Sequence, residues 1–215
     1  MKLLSVKLAR SLWYLDTAEL NPRGKNLFND LVPRLIAEYR FKEYPKEGGD
    51  FKEGLQFKNG MFKNSTGDEV VVSGTIWADG IGADTYSSTR DSDEFIEKSL
   101  GLIHALGYPY DPSMVRRRGY LSQLYVRCEK QLDTLNPRLR DFGNRISSAV
   151  GAQSEYGFAA IEFWPDQTKS FKPAVFSLQK QSGEDFSGNR YWAQASLQTE
   201  KHLEILNEIE SLLLP

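Results

Sequence analysis

The order in which turn signals and hydrophobic periodicities alternate constrains this chain most, because that order occurs twice. Residues 2–15 are rich in Leu, Val, Trp and Tyr and read as extended, after which Leu27, Phe28, Leu31, Leu35, Ile36 and Tyr39 recur at helical spacing. That spacing predicts an amphipathic helix over 25–41, with Pro33 inside it as a kink point. A Gly- and Pro-rich loop covers 44–54, and Leu55, Phe57, Met61 and Phe62 then predict a hairpin turning at Asn59-Gly60, a dipeptide that tolerates positive φ. Another turn follows at Gly67-Asp68; Val70 to Trp77 then reads as a strand, Asp79-Gly80 as a hairpin turn, and Ile81, Ala83 and Thr85 as a short strand. A helix carrying Phe95, Ile96, Leu100, Ile103 and Leu106 follows, with Ser88, Thr89 or Asp91 as its cap and Gly107 as its end.

The same order returns further on. Tyr120 to Val126 reads as a strand; Pro137 precedes a helix bearing Leu139, Phe142, Ile146 and Val150; Gly151 closes it. Strands are then predicted over Tyr156–Trp164, Phe171–Leu178 and Tyr191–Leu197, with a polar loop at 180–189. The last helix, capped at Thr199, carries Leu203, Leu206, Ile209 and Leu213 on one stripe. Both halves therefore read β-α-β-β-β-α, and the expected fold class is α+β, with two tandem units of mostly antiparallel sheet and packed helices.

One local match fits a duplication. Leu15-Asp16-Thr17 followed by Leu20-Asn21-Pro22-Arg23 resembles Leu132-Asp133-Thr134 followed by Leu135-Asn136-Pro137-Arg138. Asn-Pro starts a turn with φ preset by proline, so a shared packing task accounts for the match equally well. Pro109 and Pro112 make 107–119 the best linker, which places the units at 1–111 and 112–215; the alternative is one continuous sheet across both.

Composition excludes wholesale disorder and collagen-like structure, because 40% of the 215 residues are apolar and 26% charged. The single cysteine, Cys128, rules out an intrachain disulfide framework. Ser5, Lys7 and Arg10 interrupt the apolar N-terminus, and no stretch has the length to span a bilayer, so a cytoplasmic protein without a membrane partner is expected. Net charge is -2, too small for a global field toward nucleic acid. Locally the charge is uneven: residues 66–97 hold eight acids against Arg90, while residues 112–145 hold eight bases against three acids.

Three constellations carry chemistry. Asp79 and Asp84 flank a Gly-Ile-Gly-Ala run, and with Asp91 and Asp93 they offer oxygen ligands for a divalent ion, but the calcium-loop, phosphate-loop and dinucleotide patterns are absent. Arg116, Arg117 and Arg118 beside Tyr120 present guanidinium groups suited to phosphate and an aromatic suited to stacking. Cys128, His104 and His202 lie far apart without a zinc or nucleophile signature, so a structural cysteine is expected.

These observations favour a non-catalytic interaction or assembly component, with a protein partner or a second copy meeting a sheet edge or a helix face. The alternative is a metal-dependent phosphodiesterase or nuclease built from Asp16, Asp79, Asp84 and Asp91. It requires at least three of these carboxylates to converge, and only there does Mg²⁺ or Mn²⁺ enter as a cofactor. Nucleic-acid or nucleotide binding through the three arginines and Tyr120 is the second alternative.

Overall fold

The computed structural model describes residues 1–21, 24, 27–46, 54–151 and 155–213. Among them the element order is β1 (Lys2–Tyr14), α1 (Leu27–Tyr39), β2 (Leu55–Lys63), β3 (Glu69–Trp77), β4 (Gly80–Thr85), α2 (Thr89–Ala105), β5 (Arg117–Arg127), α3 (Pro137–Val150), β6 (Ala160–Phe163), β7 (Phe176–Lys180), β8 (Arg190–Ala195) and α4 (Thr199–Leu213). The fold is α+β with antiparallel strand pairing, and β-α-β-β-β-α occurs twice in order, as the sequence predicts. No helix among the described residues is long and apolar enough to cross a membrane.

The chain divides into unit I, Leu8–Leu121, and unit II, Met1–Lys7 with Ser122–Pro215. The divisions fall inside β1 and β5, not in the 107–119 stretch expected to link units 1–111 and 112–215. That stretch is packed. Tyr108 is buried and its hydroxyl donates to Asp30 at 2.5 Å, while Tyr110, Met114 and Val115 lie against the unit I core. Proline here shapes a packed connection, with Pro112 opening a short 3₁₀ turn capped by the Asp111 side chain.

In unit I the strands run in the order β2-β3-β4-β1. Alternation in β3 sends Val70, Val72 and Ile76 to one face, where α1 and α2 cover them. Both helices bring full apolar stripes: Leu31, Val32, Leu35 and Tyr39 from α1, and Phe95, Ile96, Leu100 and Ile103 from α2. Phe95 stands over Gly74 and meets the rings of Tyr39 (4.8 Å), Phe62 (5.7 Å) and Phe41 (6.2 Å), so aromatic packing fills the space glycine leaves.

The hairpin expected at Asn59-Gly60 is a β-bulge instead. Strand β2 runs straight through the dipeptide, with Asn59 at φ 55° and the register against β3 shifting between Phe57 and Gly60. The chain reverses at Asn64–Asp68, where the Asn64 side-chain oxygen Oδ1 accepts from the Thr66 and Asp68 amides. Gly60 is needed at the bulge because a side chain there would strike the Phe41 ring.

In unit II the order is β5-β8-β7-β6. Its β5/β8 register, Ser122↔Ala195, Leu124↔Ala193 and Val126↔Tyr191, steps like the β1/β4 register of unit I, Ala9↔Thr85, Ser11↔Ala83 and Trp13↔Ile81. Buried positions of the closing helices share one spacing too: Thr89, Ser92, Ile96 and Ile103 in α2, Thr199, His202, Leu206 and Leu213 in α4. At the matching point Ser92 donates to the Ala9 carbonyl at 2.8 Å, and His202 Nδ1 shares a 2.6 Å hydrogen bond with Ser122. Each helix is thus pinned to its sheet by a buried polar contact near its N-terminus.

His202 is fully buried, its Nε2 has no hydrogen-bond partner among the described residues, and burial pushes its pKa down to about 4. The folded state therefore holds it neutral, whereas the unfolded chain takes up a proton near the ordinary value of about 6.5. Stability present above that pH falls as pH drops toward 4, by up to about 3 kcal/mol. Urea unfolding at pH 7 and pH 4.5 is expected to show this loss in the native chain. The loss should shrink in His202→Asn, whose amide keeps a partner for Ser122; an unchanged pH dependence in that variant contradicts the assignment.

Candidate interaction surface

Three of the four aspartates use their carboxylates in separate local contacts of unit I, and Asp79 contributes a backbone carbonyl. The Asp84 carboxylate receives Arg10 through two hydrogen bonds at 2.6 and 2.7 Å, which raises the pKa of Arg10. Asp91 accepts from Ser88 Oγ and from Asn64 Nδ2, Asp16 accepts from the Ala18 amide, and the Asp79 carbonyl accepts from the Leu15 amide. Among the described residues no three His, Cys, Asp or Glu side chains are grouped as metal ligands. The convergence that the metal-dependent alternative requires is not present there.

The three arginines are divided by strand geometry. Successive residues of a strand point to opposite faces, so Arg117 stacks over Tyr14 (4.3 Å) while Arg118 stacks over Trp13 (3.9 Å), one residue back along β1. Arg116 pairs with Glu19 at 3.0 Å. Tyr120 lies on the Arg118 side, where its hydroxyl and the Trp13 indole N–H both donate to Asp93. The expected single basic patch is a set of three separate contacts. Cys128 is buried, and burial pushes its thiol up to about 12, which leaves it protonated and inert at neutral pH.

What sequence periodicity alone does not reveal is the state of α3. Its first turn is well specified: Asn136 caps the Arg138 amide at 3.0 Å, Pro137 occupies the first position, and Arg140 clasps the largely buried Asp133 at 2.9 and 3.2 Å. Its stripe of Leu139, Phe142, Ile146 and Val150 reads as core-facing, like Leu31, Leu35 and Tyr39 of α1. Yet Gly143 is the only buried residue of α3. Phe142 is 55% exposed and Val150 58%, against 3% for Leu35, and Leu139 and Ile146 are half-buried.

The cause is the side on which the helix is seated. At 3.6 residues per turn, Arg140, Gly143 and Ser147 share one side and Phe142, Ile146 and Ala149 the next. The chain after α3 comes back against the first of these. Ser147 Oγ accepts from the Tyr156 amide at 2.9 Å, and a Cβ at position 143 would collide with the Tyr156 carbonyl oxygen. The backbone reaches α3 only because residue 143 is glycine. Residues 155–159 are thereby drawn out of the strand expected over Tyr156–Trp164, which shrinks to the four residues of β6. At the end of β6, Phe163 and the following Trp164 are 63% and 70% exposed.

No family model matches this chain, and no curated protein is similar to it. Among solved structures it is similar to Methanococcus jannaschii TBP, at 14% identity and a TM-score of 0.42, over 99% of this chain and 97% of that one. Similarity at that level assigns no role to any residue here.

The Gly143 seat is directly testable. Gly143→Ala is expected to push residues 155–157 off α3 at a cost of about 1–3 kcal/mol. Hydrogen exchange should report it as lost protection of the Tyr156 amide, with the Leu206 amide of α4 unaffected. Retained protection at Tyr156 contradicts the role given to the glycine.

Proposed function

We propose that unit II is a docking module that receives another protein on the outward apolar side of α3. The observation that carries this reading is the stripe of Phe142, Ile146 and Val150 on a well-capped helix whose seat is its Gly143–Ser147 side. A large exposed apolar surface on an otherwise ordered element is characteristic of an interaction site. Covering the remaining half of Phe142 or Val150 contributes about 1 kcal/mol each before the costs of association.

Two competing modes are less well supported. In unit II, strand addition would need a long open edge, whereas β6 has four residues, is followed after Trp164 by Pro165, and has Glu162 held by Ser177 and Gln179 of β7. Pairing of two α3 helices from separate copies offers a seam only about 21 Å long, too little for the roughly 800 Å² per partner of a stable interface. A helix or short segment of a different protein, bound transiently, does not need the area of a stable dimer.

A photo-crosslinking amino acid in place of Phe142, compared with the same group at exposed Tyr86 in unit I, tests the reading. Irradiation in cells is expected to give a discrete heterologous adduct from position 142 alone, abolished by Ile146→Asp. Identical adducts from both positions, or an adduct with only the mass of a second copy, would contradict it.

A further inference from the structure

The charges bordering the α3 stripe specify the chemistry of the partner, and this inference rests on the reading of α3 as a docking face. Seen down the helix, one border of the stripe is the seat itself, where Gly143 and Ser147 meet Tyr156. Arg140 is on that side, and Asp133 already neutralises it. The opposite border carries Arg138 and Arg145, both exposed and neither in an ion pair among the described residues, with exposed Asp141 beyond them on the side away from the stripe. Arg145 extends over the Phe142 ring at 5.5 Å, which places its positive charge beside an exposed aromatic side chain of the stripe.

We infer that α3 receives an amphipathic helix carrying a row of carboxylates along one edge, aligned with Arg138 and Arg145. Apolar residues at i, i+3 or i+4, and i+7 of that helix cover Phe142, Ile146 and Val150, and its acidic edge meets the two guanidinium groups. A second α3 is a poor occupant because it brings arginines to arginines. A membrane surface is also poorer: lipid headgroups engage basic residues on both borders of an apolar stripe, and here one border is occupied by protein. One-sided charge fixes the direction in which the partner lies, since reversing it moves its carboxylates to the seat side.

The test uses the full chain and two synthetic 18-residue helical peptides with the same leucine stripe. One carries a row of glutamates along an edge, and the other carries lysines at those positions. Fluorescence anisotropy is expected to show the glutamate peptide binding at least tenfold tighter. Arg138→Glu with Arg145→Glu should reverse the order, and Phe142→Asp should remove binding of both. Equal affinities that still depend on Phe142 overturn the charge inference and leave the docking reading intact. Binding of neither peptide, or binding indifferent to Phe142→Asp, overturns both. Phosphatidylserine-containing vesicles form a third arm; arginine-dependent binding to them that exceeds peptide binding overturns the choice of a protein partner.

Discussion

A half-apolar antiparallel sheet has to have its apolar face covered, and the rest of this structure follows from how each unit meets that requirement. Unit I meets it with two helices. The stripes of α1 and α2 close over β2, β3 and β4, and the aromatic group around Phe95 fills the space above Gly74. Unit II meets it mainly with α4, whose Leu206 and Leu213 join Leu124, Val126, Leu178, Tyr191 and Ala193 in a smaller core. Helix α3 is held in place by other means and keeps its apolar side outward.

Those means are polar and steric. The Asp133–Arg140 clasp holds the first turns of α3, and the close approach of Tyr156 at Gly143 holds its middle. Neither needs the apolar stripe, so leaving the stripe in water does not detach the helix. Its exposure is a cost that burial against a partner removes, which is the physical basis for reading it as a docking face. A rigid, capped helix also loses little conformational freedom on binding.

Much of the fold is legible in the sequence because its signals are redundant. Val70, Val72 and Ile76 alternate, Phe95, Ile96, Leu100 and Ile103 follow helical spacing, and Ser88 caps where a cap is expected, at 3.1 Å from the Asp91 amide. The failures lie where one local signal has two structural answers. Asn59-Gly60 satisfies a bulge as well as a turn, and Pro109 and Pro112 serve a packed connection as well as a linker. Tyr156 and Gly157 suit a strand until α3 and Phe186 offer them closer contacts.

The candidate sites were less legible than the elements, again for geometric reasons. Consecutive arginines look like one patch in sequence but are split between faces by the strand that carries them. Aspartates close in sequence are taken up singly by Arg10, Ser88 and turn amides. The outward side of α3 is invisible to periodicity, which reports that a stripe exists and not which side is seated; the small Gly143 and Ser147 are the only hint. Thiol labelling of a cysteine at Phe142 tests the central claim most directly, with Leu35→Cys as the buried reference and native Cys128 as background. The account predicts that the Phe142→Cys thiol reacts under native conditions nearly as fast as in denaturant while the Leu35→Cys thiol stays protected; protection of both to the same degree would contradict it.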